Sequence, residues 1–181
     1  PKGASLKGGV NHSISLSVAS LALAGLYYKN TGDRGFLENN SHFQETWKKI
    51  LDELIASRKD ENIWLIPTYF ISDGPIHADY HTGSNVLVWF ALKSFSRLSS
   101  EVYKNEQDAK YYADIAAKMK TSIYERTVVE GPFGKMFTEE INKDGTYKSF
   151  SDGEESDTVL MPFYGFCSYD EPAYLNYMKF G

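Results

Sequence analysis

The stretch Val86-Leu87-Val88-Trp89-Phe90-Ala91-Leu92-Lys93-Ser94-Phe95-Ser96-Arg97-Leu98 decides the fold. Its apolar residues fall on nearly every side of a helix, and a helix that is apolar all round must be covered on both sides. Ile14 to Tyr28 has the same character, through Ile14, Leu16, Val18, Leu21, Leu23, Leu26 and Tyr27. Two other segments differ. Phe43, Trp47, Ile50, Leu51, Leu54 and Ile55 make one stripe at helical spacing, backed by Gln44, Glu45, Lys48, Lys49, Asp52 and Glu53. Ala109, Tyr112, Ala116, Met119 and Ile123 make another, with Lys110, Asp114, Lys118 and Lys120 outside. The chain order is therefore sheltered, half-wet, sheltered, half-wet. Hairpins of this kind fit an inner layer of helices wrapped by an outer one. A short repeated word supports the pairing: Tyr28-Lys29-Asn30 and Tyr103-Lys104-Asn105 stand 75 residues apart.

Local signals punctuate these helices. Gly32 is placed to end the first one as a left-handed cap. Ser41 with Gln44 forms a capping box for the second, which stops near Ser57-Arg58-Lys59. Asn105 with Asp108 opens the fourth. Asn62 to Ile71 is short, aromatic and broken by Pro67, so it reads as extended. Asp73 to Asn85 carries Gly74, Pro75 and Gly83 and reads as a loop. Gly131-Pro132-Phe133-Gly134 is a turn, and Lys135 to Ile141 a short strand. A fifth, inner helix is expected from Thr158. Asp170 is expected to cap a last helical piece with Pro172 in its first turn. The two polar loops, Asp73–Asn85 and Lys143–Asp157, each lead into an inner helix, so both are expected on one face.

Composition narrows the function. A length of 181 residues suits one domain. The net charge of −5 argues against nucleic acid as a partner. No stretch is long and apolar enough to span a membrane; the best, Ile14 to Tyr28, is interrupted by Ser15, Ser17 and Ser20. The single Cys167 excludes an internal disulfide, and its neighbours Phe166 and Tyr169 mark it as core more than nucleophile. No signal peptide is evident. The chain starts at Pro1 and stops at Gly181 in mid-pattern, so residues 1–181 are expected to be a piece of a longer catalytic domain.

The chemistry concentrates in Ser151-Asp152-Gly153-Glu154-Glu155-Ser156-Asp157-Thr158, where four acids fall within six residues at the mouth of an apolar run, Val159 to Phe166. Burial and like-charge crowding raise carboxyl pKa values, as acid–base catalysis near neutral pH requires. The alternative is a helix N-terminus, capped by Ser156 or Asp157 and favoured by its dipole. Cleaving a glycosidic bond takes two carboxyl groups across a sugar ring, about 5–5.5 Å apart for retention and about 6.5–9.5 Å for inversion. Adjacent Glu154 and Glu155 tend to point apart, so the partner is expected from the other loop. Glu155, slightly preferred over Glu154, facing Asp79 is the expected catalytic pair, with Asp73 an alternative partner. Asp73, His77, Tyr80, His81, Asn85, Trp89, Asp152, Asp157 and Tyr164 are the expected substrate-binding residues, with Tyr80, Trp89 and Trp64 able to stack on sugar. His77 and His81 flank Asp79 at a spacing that serves a metal best on a helix. Here they lie in a loop, so neither metal nor cofactor is expected. Ser84 lacks a nucleophile elbow, and no Gly-rich phosphate loop is present. Asn11-His12-Ser13 and Asn39-Asn40-Ser41 match the glycosylation pattern, which is common by chance.

Asp79-Tyr80-His81-Thr82-Gly83-Ser84-Asn85 with Trp89 resembles the Tyr-His-x-Gly-Ser segment of glycogen-debranching and glucoamylase-like glycoside hydrolases. Asp152-Gly153-Glu154-Glu155-Ser156-Asp157-Thr158, with Pro162-Phe163-Tyr164-Gly165, resembles a segment of bacterial six-hairpin glycosidases. The resemblance spans about Val10 to Phe180, and its specific part is these two loops. It implies an all-α fold, part of an (α/α)6 toroid with short irregular or β segments in its loops. It also implies a carbohydrate substrate, paired carboxylates and inversion, with a periplasmic or secreted setting favoured over the cytoplasm. Six hairpins at this spacing need well over the 181 residues present. The rest of the toroid, or another chain, is thus expected to cover the inner helices. A polysaccharide lyase or sugar epimerase on the same toroid, with Tyr80 or a His as base, is the rival enzyme. A non-catalytic helical-repeat binding module is the rival outside catalysis.

Overall fold

The computed structural model describes residues 9–40, 42–71, 74–149 and 157–179. Four long helices dominate: α1 (Ile14–Thr31), α3 (His42–Ala56), α4 (Thr82–Glu101) and α5 (Glu106–Thr127). A single turn, α2 (Gly35–Glu38), links α1 to α3, and α6 (Pro172–Met178) closes the chain. None of the helices among the described residues is long and apolar enough to cross a membrane. α1 and α5 have the caps their sequences offer. Ser13 Oγ accepts from the Leu16 N–H at the start of α1, and Gly32, at φ 67°, ends it with its N–H on Tyr28 O. Asn105 caps α5 by accepting from the Asp108 N–H. The capping box predicted at Ser41 lies outside the described residues.

α4 is the centre. Fifteen of its residues are buried, including Val86, Val88, Trp89, Leu92, Phe95 and Leu98. It packs against α1 on one side and α5 on the other. The α1–α4 contacts advance together along both chains: Ser15 Oγ donates to Ser84 Oγ at 2.8 Å, Gly25 abuts Ser94, and Tyr28 OH donates to Glu101 Oε2 at 2.8 Å. These two helices therefore run parallel. The outer pair does the same, through Lys48 to Asp108 at 2.7 Å and Tyr112 OH to Asp52 at 2.6 Å. α4 and α5 run antiparallel: Phe95 meets Tyr112 edge-to-face, while Lys120 reaches back over Trp89. Two hairpins thus lie side by side, each with one deeply buried helix and one half-exposed helix. The expectation for α1 holds only on one side, since Leu16 (61% exposed) and Leu23 (69%) face outward.

Two small antiparallel sheets fill the loops. β2 (Val128–Gly131) and β3 (Gly134–Phe137) form a hairpin, with Val129 opposite Met136. The other sheet has the order β1 (Tyr80–His81), β4 (Glu140–Ile141), β5 (Tyr147–Lys148). Tyr80 pairs with Ile141 and His81 with Glu140, while Glu140 also pairs with Lys148.

Four expectations need correction. The stretch read as a loop up to Asn85 holds β1 and the first residues of α4, while the small sheets are the β segments expected in the loops of a mostly helical fold. No local periodicity reveals a two-residue strand whose partner is 60 residues away. The single strand expected over Lys135 to Ile141 is two, because the chain changes partners at Thr138, whose N–H goes to Thr127 O. The fifth helix expected at Thr158 is a short 3-10 turn, Asp157–Leu160, followed by tight turns. Pro162 has no N–H to extend an α-helix, and Gly165 takes φ 72° while Phe166 N–H closes on Met161 O. The residue at the N-cap of α6 is Glu171, not Asp170, and Pro172 is its first helical residue.

The close approach of α1 and α4 depends on Gly25, because a methyl group there would overlap the Ser94 side chain. Gly25→Ala is expected to destabilise by about 1–3 kcal/mol through overpacking. Adding Ser94→Gly should recover part of that loss in urea denaturation, whereas a wholly additive double variant would contradict the contact.

Candidate functional site

The polar loops meet at the first turn of α4. The Thr82 N–H donates to Glu139 O at 2.9 Å, and Thr82 Oγ1 donates to Thr138 O at 2.5 Å. Thr138 Oγ1 also lies 3.1 Å from Ser149 Oγ, and the Asp157–Leu160 turn packs on α4. The two described flanks of residues 150–156 therefore both touch the structure that begins α4. Residues Asp73, Asp152, Glu154 and Glu155 themselves lie outside the described residues. Asp157 opens the 3-10 turn.

A buried chain of polar groups holds this end together. His81 and Ser84 are 0% exposed, and Glu139 is 4% exposed. His81 Nδ1 accepts the Ser84 N–H at 3.0 Å and so serves as the N-cap of α4. That bond requires an unprotonated Nδ1, so the ring proton of the neutral imidazole sits on Nε2, which donates to Glu139 Oε1 at 2.9 Å. Tyr177 OH donates to the other oxygen, Glu139 Oε2, at 2.7 Å. Ser84 Oγ lies 2.7 Å from Nδ1 and takes the proton of Ser15 Oγ. A serine, a histidine and a carboxylate in line look like a hydrolytic triad. All three are sealed from solvent, so they act as a brace between α1, α4, β4 and α6, and not as a nucleophile.

The other expected site residues take distinct places around that brace. Asn85 is fully buried: its Oδ1 accepts the Ile66 N–H at 2.7 Å, and its Nδ2 donates to Ile66 O and His81 O. It thus satisfies the extended segment that crosses beneath α4. Trp89 is 3% exposed and packs edge-on against Phe166. Trp64 is half-buried, with the Arg58 guanidinium 3.6 Å from its ring centroid and Lys118 at 4.8 Å. Tyr164 is half-buried against Phe90. Asp79 is half-exposed; its Oδ2 accepts the Lys143 N–H at 2.9 Å, and Lys59 Nζ is 3.4 Å from Oδ1. Lys143 also bonds Asp60 at 2.7 Å, which holds that carboxyl below the usual carboxylate range. His77 is exposed, with its Nδ1 3.9 Å from Glu140 Oε1. Tyr80 is buried, and burial first, then Asp79 and Asp60, raise its phenol pKa. A phenol held protonated in this way is a poor general base, which weighs against the lyase reading. Burial and Glu171 push the Cys167 thiol up to about 11, so it stays a neutral core group.

Two acids escaped the sequence reading. Glu139, just before β4, and Glu140, its first residue, are both buried, at 4% and 3% exposure, and they take different partners. Glu139 meets His81, while Glu140 Oε2 accepts the His77 N–H at 3.0 Å. The one available signal was two consecutive acids in an otherwise apolar run, Met136-Phe137-Thr138-Glu139-Glu140-Ile141. Among the described residues no group of three metal-ligating side chains comes together.

No family model matches the chain, and no curated protein does either. Among solved structures it is similar to a metal-independent alpha-mannosidase from Streptococcus pneumoniae, determined as a non-productive substrate complex with alpha-1,6-mannobiose. The TM-score is 0.78 at 16% sequence identity. The match covers 92% of this chain and 46% of that one, so the chain spans about half the length of the structure it matches. It shares the fold of a glycoside hydrolase over nearly all of its own length.

The brace predicts a sharp contrast in stability. His81→Ala should cost about 3–5 kcal/mol, because it leaves Glu139 buried beside an empty partner position. Asp79→Asn, on the half-exposed side, should cost under about 1 kcal/mol. Thermal and urea unfolding of the two variants would check this, and equal losses would contradict it.

Proposed function

We propose that the chain is part of the catalytic domain of a glycoside hydrolase, built as an (α/α)6 toroid, that cleaves an oligo- or polysaccharide with two carboxylates. The observation that carries the proposal is the fold shared with the alpha-mannosidase over 92% of the chain. The joining of both polar loops in one sheet at the start of α4 supports it. In this reading Glu155 or Glu154 faces Asp79 across the sugar, one as acid and the other as base, and water attacks with inversion. Asp79 suits the base by position, half-exposed at the rim with Lys59 and the Lys143 amide fixing its two oxygens. His77 and the acids Asp73, Asp152 and Asp157 then contact sugar hydroxyls. His81, Asn85 and Trp89 fix the wall behind them. The outward residues of α1, Leu16 and Leu23, would lie against the remaining hairpins of the toroid.

Alpha-linked mannosides are the first substrates to test, because the matched structure holds alpha-1,6-mannobiose. Hydrolysis of that disaccharide and of a panel of other glycosides, followed by released sugar, is the assay. Glu155→Gln and Asp79→Asn should each lower kcat by about a hundredfold or more without altering thermal unfolding. Full activity in both variants would remove these residues from the mechanism, and no turnover of any glycoside by a folded, complete protein would remove the hydrolase reading.

A further inference from the structure

Away from that rim, between the second halves of α1 and α4, lies a cavity of about 240 Å³. Tyr28, Lys29, Phe90, Lys93, Ser94 and Arg97 line it, and Tyr164 closes one side. At 1.5 Å per residue, Lys93 stands about 16 Å along α4 from Thr82, well clear of the polar loops. Its volume is below the roughly 300 Å³ where drug-sized sites begin, which suits a ligand of one small ring.

The charge of the cavity runs against that of the chain. Three cations line it and, among the described residues, no acid does, although the chain carries a net charge of −5. Neither Lys29 nor Lys93 has a carboxylate within 4.0 Å among the described residues. Arg97 gives its Nε–H to Glu101 at 3.0 Å, and its remaining N–H groups have no acceptor among the described residues. Glu101 also accepts from the Tyr28 hydroxyl, so both its oxygens are engaged. Lys29, in the last turn of α1, has an ordinary reason to be there, because cations favour helix C-termini. Lys93 has none: it sits more than two turns before the end of α4, 4.8 Å from the Trp89 ring, with its N–H donors otherwise open. Partial desolvation first, then Lys120 and Lys29, hold its ammonium below the usual lysine range, although the residue as a whole is exposed. An anion between these groups would relieve that repulsion.

A neutral donor points the same way. Ser94 is 8% exposed, lines the cavity, and its hydroxyl has no hydrogen-bond partner among the described residues. Its oxygen is not sealed from solvent, so it can donate to water or, in its place, to a ligand oxygen. Phe90 and Tyr164, with ring centroids 5.1 Å apart, supply an aromatic wall for the apolar face of a ring.

We propose that this cavity binds a small ring compound bearing an oxyanion, phosphate or carboxylate, held by Lys93, Lys29, the free edge of Arg97 and the Ser94 hydroxyl. The site is separate from the rim and does not depend on the hydrolase reading. Inorganic phosphate, a hexose 6-phosphate and a hexuronate, each titrated at constant ionic strength against backbone amide shifts, test it and separate the two oxyanions. Saturable shifts centred on Gly25 and Ser94 are expected with at least one of the three. Lys93→Gln, at an exposed position, should leave the melting temperature unchanged and weaken binding about tenfold, the loss of one charge-assisted bond. Absence of saturation with all three, or an unchanged affinity in Lys93→Gln, would overturn the proposal.

Discussion

The His81–Glu139 contact is the constraint on which the rest of the structure depends. One imidazole ring caps α4 with Nδ1 and grips a buried carboxylate with Nε2, so a helix start and the residue that leads into β4, 58 residues later, are fixed to each other. A buried carboxylate is tolerable only when both oxygens have donors, and Tyr177 supplies the second. Ser15 and Asn85 extend the same network to α1 and to the extended segment beneath. Among the described residues, this polar cluster is fully enclosed. Half-satisfied, such a network would be worse than an apolar core. Satisfied, it sets where the two polar loops can stand.

That arrangement explains why the exposed acids and the buried ones differ in kind. Glu139 and Glu140 are inside and bonded, so their work is to hold strands and loops in register. Asp79 is half outside, with donors on both oxygens. In the proposed function, chemistry at the rim falls to the loop acids, with the brace behind them. Parallel α1 and α4 carry this order down to their far ends, where Gly25 lets the helices touch and the cationic cavity begins.

Much of this was legible in the sequence because helices signal through periodicity. The stripes of α3 and α5 and the all-round apolar character of α4 place three helices correctly, and Gly32 and Asn105 mark two of their ends. The meeting of the polar loops follows from the alternation of sheltered and wet helices. What stayed hidden depends on distant partners. Two-residue strands such as β1 carry no pattern, and Glu139 looks like any surface acid until His81 is placed beside it. The turn at Thr158 was misread because a strongly apolar run outweighed Pro162 and Gly165, which are local and decisive. The outward face of α1 also reads as core by composition, since sequence alone cannot tell which neighbour is present.

The gathering of both acidic loops at the first turn of α4 can be measured directly. A nitroxide attached at position 155, in otherwise native protein, would broaden the amide signals of its neighbours in a proton–nitrogen spectrum. The account predicts strong broadening over Asp79 to Ser84 and none over Arg97 to Lys104. Broadening at Arg97 to Lys104, with Asp79 to Ser84 left sharp, would contradict it.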